Sequence, residues 1–154
     1  MNAAVEVSGA PAALEGFAPY LMNRIMGRYN AALQGELAQM GLSTPKARAL
    51  ATLAVIPGPT IRELAIYTVT DPSTLSRALD QLQAEGLIRR ESCNADSRAT
   101  RLHLTEGGHA RAERLWPLMG QAEVALFQGV PEAERQAFLA TLRCILRNIR
   151  HNPI

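Results

Sequence analysis

Residues 60–104 read TIRELAIYTVTDPSTLSRALDQLQAEGLIRRESCNADSRATRLHL, and the predicted fold class follows from this stretch. Thr60 precedes a short helical run. A second helix is predicted to begin at Pro72, behind a cap from Thr70 or Asp71, and to end at the glycine of AEGL. The runs LIRRE and TRLHL then alternate around the polar loop SCNADSRA, which predicts a β-hairpin. Helix, tight turn, helix and hairpin in this order predict a winged helix-turn-helix.

The second helix of this stretch is predicted to read DNA. Its apolar stripe consists of Leu75, Leu79 and Leu82, and its polar face consists of Ser73, Thr74, Ser76, Arg77 and Gln81. The second helix of such a pair enters the major groove, where Arg can bond guanine and Gln can bond adenine. We therefore expect Arg77 and Gln81 to choose the sequence, and Ser73 and Thr74 to anchor phosphates. The alternative is an ordinary exposed helix face.

The hairpin is predicted to add a second DNA contact. Arg98, near its tip, has the length and charge to enter the minor groove beside the reading helix. Asp96, two residues earlier, is expected to hold Arg98 or the loop in shape. A solvated hairpin without a DNA contact is the alternative.

The helices before and after the predicted DNA-binding domain are expected to form a homodimer. Residues 1–12 are small and aperiodic and predict a flexible arm, and an apolar stripe from Leu14 predicts one long helix that ends near Gly41. Two helices are predicted after the hairpin, the first of them bent at Pro117. These helices carry apolar stripes that the small domain cannot cover, so pairing with a second copy is expected. The predicted segments are 1–12, an arm; 13–42, a dimerisation helix; 43–104, the DNA-binding domain; and 105–154, dimerisation helices.

The motifs of this stretch resemble those of the MarR family of bacterial regulators. The resemblance rests on the ELA helix, the STLSR helix, LxxEGLIRR, the DxR wing and LTEGG, and it covers residues 44 to about 115. It implies DNA contacts from Ser73, Thr74, Ser76, Arg77 and Arg98, support from Asp96, and a dimer built from the terminal helices. Thr68-Val69-Thr70 replaces the usual small turn, and Asp71 brings an acid close to the phosphate track.

The resemblance also implies a small-molecule cleft between the dimer helices and the winged domain, often for aromatic compounds. Its expected lining, which could equally be dimer core, is Phe17, Tyr20, Met26, Tyr29, Trp116 and Met119. The expected protein is a ligand-released repressor that binds a pseudo-palindromic operator as a homodimer. A redox-responsive regulator and a non-specific architectural DNA-binding protein are the alternatives. Peroxide-sensing members carry their cysteine in the first helix, whereas this chain has Cys93 and Cys144.

Composition and motif spacing argue against other classes of protein. His103, His109 and His151 have no metal-ligand spacing, and no Gly-rich phosphate loop or nucleophile motif is present, so neither an enzyme nor a bound cofactor or metal is expected. The net charge is +2, and no apolar run is long enough to cross a bilayer. Without a secretory signal either, the protein is expected in the cytoplasm, away from membranes. Double-stranded DNA, a second copy and a small aromatic ligand are the expected partners.

Overall fold

The chain folds into a helical protein with a single β-hairpin among its described residues. The computed structural model describes residues 10–93 and 96–149, and side-chain surroundings within 13–92 and 100–149. The elements are α1 Ala10–Glu15, α2 Ala18–Gln39, α3 Thr44–Val55, α4 Ile61–Thr68, α5 Pro72–Ala84, β1 Ile88–Cys93, β2 Asp96–Leu104, α6 Glu106–Leu126 and α7 Glu132–Ile149. The predicted class, mainly α with a hairpin wing, is confirmed.

The N-terminal region differs from its prediction in two ways. Leu14 belongs to α1, and the long helix α2 begins at Ala18 instead. Phe17 between them is extended, since Gly16 permits a break and Pro19 suits the first turn of a new helix. Helix α1 begins at Ala10, inside the segment predicted as a flexible arm; residues 1–9 of that arm lie outside the described residues.

The core lies where α3, α5 and α6 meet the base of the hairpin. Its completely buried side chains are Leu50, Leu64, Leu75, Leu79, Leu82, Leu102 and Leu115. Burying a leucine stabilises a fold by roughly 1.5–3 kcal/mol. The predicted inner stripe of α5 is therefore confirmed, and it packs this helix against the rest of the domain.

The hairpin is longer than predicted. The predicted polar loop spans residues 92–99, but residues 92–93 and 96–99 belong to the strands. The register shifts between Ser92 and Cys93. Backbone pairing needs no apolar side chains, so the ribbon can continue into a polar sequence. Arg101 forms an isolated bridge with Thr60, and Leu102 N–H donates to the Pro59 carbonyl at 3.0 Å. These bonds attach the hairpin to the start of α4.

The two C-terminal helices pack very differently. Helix α6 runs without interruption through Pro117 and buries Ala112 and Leu115. Helix α7 buries none of its described residues. Its contacts with the end of α6 include the rings of Phe127 and Phe138, 6.0 Å apart, and an ion pair between Arg135 and Glu123 at 2.8 Å. Within residues 10–93 and 96–149, none of the helices combines the length and apolarity that a membrane crossing demands.

Candidate nucleic-acid interface

The connection between α4 and α5 positions the candidate reading helix. Helix α4 begins in a capping box: Thr60 N–H donates to Glu63 Oε2 at 2.7 Å, and Glu63 N–H donates to Thr60 Oγ1 at 3.2 Å. The bond from the Thr60 backbone lowers the pKa of the Glu63 carboxyl. At the other end, Val69 takes the left-handed conformation, with φ of 49°. This conformation is costly for a β-branched residue and shows that the tight turn is imposed by the packing of both helices.

Asp71 is the cap of α5. Its Oδ1 accepts hydrogen bonds from Thr74 N–H at 2.9 Å and from Ser73 Oγ at 2.7 Å. The hydrogen bond from the Thr74 side chain, with these bonds, holds the pKa of Asp71 far below its usual range. Of the two caps open in the sequence, Asp71 therefore occupies the position. The hydroxyl of Ser73 and the N–H of Thr74, both expected to anchor phosphate, already bind this carboxylate.

The polar face of α5 is presented to solvent. Ser73, Ser76, Arg77 and Gln81 are exposed, and Thr74 is half-buried. No side chain in the described parts of the chain pairs with the Arg77 guanidinium, so its donors are available to a ligand. The structure thus brings these five predicted residues together on one helix face. Their DNA contacts stay predictions.

The wing lies beside this helix. Asp96 and Arg98 belong to β2, but their side chains lie outside the described residues. The base of the wing is joined to α5 by Arg90 of β1, whose Nη2 is 2.7 Å from Asp80 Oδ1. This ion pair was missed by sequence reasoning, since the two residues are ten positions apart in different elements. The signal that could have indicated this ion pair is an acidic residue, Asp80, on the polar side of the helix, followed by the pair Arg89-Arg90 in the next strand.

A large apolar cleft lies between α2, α6 and α7. Its volume is about 480 Å³. The lining includes Met26, Tyr29, Trp116 and Met119, together with Phe127 at the end of α6 and Phe138 of α7. Burial, with the nearby Glu123 carboxylate, raises the pKa of Tyr29, an effect that Arg48 opposes.

Two of the aromatic residues expected to line the cleft lie elsewhere. Tyr20 borders a separate groove with Arg24, whose Nη1 donates to the Tyr20 hydroxyl at 2.9 Å. Phe17 lies before the first turn of α2 and is 55% exposed. Four of the six expected lining residues therefore come together, and these two do not.

The other candidate residues of the sequence are the two cysteines and the possible metal ligands. Cys144 is an exposed free thiol on α7, and the side chain of Cys93 lies outside the described residues. In the described part of the chain, no group of three or more His, Cys, Asp or Glu side chains is placed to hold a metal ion.

Comparison with known proteins agrees with this architecture. Residues 40–99 match the model of the MarR family. The chain is similar to a crystal structure of a MarR-family transcriptional regulator from Silicibacter pomeroyi, with 55% identity, a TM-score of 0.85, and 92% of this chain and 95% of that one covered.

Two more distant relatives have named regulatory roles. The HTH-type transcriptional repressor IacR of Pseudomonas putida is 25% identical over 135 residues, which cover 88% of this chain and 81% of IacR. BpsR of Bordetella bronchiseptica, whose DNA binding is regulated by 6-hydroxynicotinic acid, is 25% identical, with a TM-score of 0.73 and coverage of 82% of this chain and 96% of that one.

Proposed function

Because this chain belongs to the MarR family of transcriptional regulators, we propose that it is a repressor that binds a pseudo-palindromic operator as a homodimer. The observation that carries the proposal is the exposed polar face of α5, with the wing alongside and with Arg77, which has no ion-pair partner among the described residues, at its centre. A helix held in this way has the form of a major-groove reader. Family membership supports a regulator rather than an enzyme, and similarity to IacR supports repression.

The dimer is supported by the exposed apolar face of α7. Phe138 is 41% exposed, Ile145 37% and Ile149 62%, although all three lie on one stripe of the helix. None of the described residues of α7 is fully buried in its own chain, so this helix gains little from folding unless a second surface covers it. A second copy supplies that surface and brings two reading helices to successive half-sites.

Release by a small molecule is supported by the 480 Å³ cleft between α2, α6 and α7. Its walls are apolar, with the Tyr29 hydroxyl and the Glu123 carboxylate as polar groups, which is the usual character of a small-molecule site. The regulation of BpsR by 6-hydroxynicotinic acid supports a small aromatic compound as the ligand. Such a ligand releases DNA only if it binds more tightly to the dimer in which the spacing of the two reading helices does not fit the operator than to the dimer in which it does.

Selection of bound duplexes from randomised DNA tests the operator. We expect a pseudo-palindrome, which the protein binds at least about a thousandfold more tightly than a scrambled duplex in gel-shift titrations at one salt concentration. Equal affinity for both duplexes would contradict a specific repressor and support the architectural alternative.

A further inference from the structure

Lys46, the single lysine of the chain, lies in the first turn of α3 at the meeting point of three helices. Its Nζ is 2.5 Å from Glu85 Oε1 and donates to the Gly41 carbonyl at 3.3 Å. The lysine side chain is 6% exposed, whereas that of Glu85 is 44% exposed. Glu85 follows the last turn of α5, and Gly41 follows the end of α2.

The position of this cation is unfavourable for α3 taken alone. A positive charge in the first turn opposes the helix dipole, and a buried ammonium loses its hydration. Both costs are offset here because the ammonium meets the carboxyl-terminal ends of two other helices, where carbonyl oxygens and the dipole favour a cation. Lys46 therefore joins the end of α2 to the end of α5.

The turn that ends α2 is held from a second side. Arg111 of α6 donates to the Met40 carbonyl, one residue before the carbonyl that Lys46 binds. The end of α2 is thus held by Lys46 of α3 and by Arg111 of α6. The Lys46 ammonium also binds Glu85, so the end of α5 is held at a fixed position relative to the end of α2. An ion pair with only one buried partner adds little stability compared with apolar packing, but it can favour one geometry of the helices that it joins.

We propose that Lys46 is a positioning residue for DNA binding: its ion pair with Glu85 fixes α5 relative to α2 and so sets the half-site spacing that the dimer accepts. This inference rests on the proposed function, in which α2 belongs to the dimer frame and α5 reads DNA. It adds a residue remote from the polar face of α5.

Three variants test whether the ion pair between Lys46 and Glu85 fixes the position of α5. E85Q removes the carboxylate charge from a half-exposed residue while keeping its size, and K46M replaces the ammonium with an apolar chain of similar length. E36Q is the matched control, since it makes the same change from Glu to Gln at an exposed residue of α2 that forms no ion pair within the described residues. If K46M unfolds, E85Q decides the test.

The DNA measurement uses duplexes with two copies of the selected half-site, separated by spacers that change one base pair at a time. The ratio of affinities between the best spacing and its neighbours should fall about fivefold or more in E85Q and K46M, and stay unchanged in E36Q. A folded E85Q variant that keeps the wild-type ratio would overturn the inference. Wild-type protein that selects no sequence would contradict the proposed function instead.

A measurement without DNA tests the same inference independently of sequence selection. Spin labels at position 83 of α5, in a C93S/C144S background, report the distance between the two reading helices of a dimer. E85Q should broaden the distance distribution, and E36Q should leave it narrow. An equally narrow distribution in E85Q would contradict the proposed positioning role.

Discussion

The Asp71 carboxylate accepts a 2.9 Å hydrogen bond from the Thr74 N–H at the first turn of α5, the end of the helix that a DNA phosphate would approach. The same oxygen binds the Ser73 hydroxyl. Asp71 therefore stabilises the start of α5, and in the proposed function it places a negative charge close to the DNA phosphates. A negative charge at position 71 is favourable for the stability of α5, whereas it is unfavourable for binding DNA phosphates close by.

Replacing Asp71 with Asn should raise DNA affinity. Asn caps a helix about as well as Asp, so α5 should keep its first turn while one repulsive charge is lost. Gel-shift titrations should show binding about two- to fivefold tighter, on operator and scrambled duplexes alike. E36Q, which removes an exposed carboxylate from α2, is the control and should change affinity little. Unchanged or weaker binding by D71N would contradict the proposed approach of phosphate to this end of α5.

Asp71 should also contribute to the acid sensitivity of the fold. Hydrogen bonds from the Thr74 side chain and from Ser73 lower the pKa of Asp71 in the folded state, below its unfolded value of about 3.9. Its ionised form therefore stabilises the fold above that value, and this contribution is lost as the pH falls through the folded pKa. Urea unfolding should show a smaller loss of stability between about pH 5 and pH 2 in D71N than in the wild type. Identical pH profiles would refute the assignment.

Gly108 should not tolerate a side chain. A Cβ at this position would lie 2.0 Å from the Leu87 carbonyl oxygen, because the first turn of α6 packs directly on that backbone. G108A should therefore destabilise the protein by about 1–3 kcal/mol, as measured by urea unfolding. The adjacent Gly107 is the matched control: its Cβ would lie 3.7 Å from the nearest atoms, so G107A should be neutral or slightly stabilising. Equal losses of stability in the two variants would contradict a close approach that is specific to Gly108.

The two arginines of the DNA-binding unit should have different effects. R77A is expected to relax base preference at one position of each half-site, at a cost of about 1–3 kcal/mol on the operator. R98A should weaken binding to all duplexes with little change in preference. Repeating the selection from randomised DNA with each variant measures both effects. If R77A selects the wild-type sequence, the reading residue has been assigned wrongly.

A charge on the apolar stripe of α7 should break the dimer. I145E places a carboxylate on the face that is proposed to meet the second copy, and its desolvation should raise the dimer dissociation constant about tenfold or more. A140E adds the same charge on the opposite face of α7, where Ala140 is exposed, and should leave assembly unchanged. Sedimentation velocity over a range of concentrations distinguishes the two. An I145E variant with the same dimer dissociation constant as the wild type would contradict an interface on this stripe.

The fold was predictable from the sequence wherever a signal acts within a few residues. Leu75, Leu79 and Leu82 lie on one face of a helix at their spacing alone, and Asp71-Pro72 marks the start of that helix whatever surrounds it. The polar face of α5 follows from the same periodicity. Spacing, caps and turn residues therefore determined the winged helix-turn-helix.

Contacts between distant parts of the chain were decided by the tertiary structure. Lys46 and Glu85 are 39 positions apart, and no local pattern predicts that the first turn of α3 meets the end of α5. The same holds for the close approach of Gly108 to Leu87, and for the cleft that includes Tyr29 but not Tyr20. Periodicity determines which face of each helix is apolar, whereas the packing of those faces determines which charged and aromatic side chains meet.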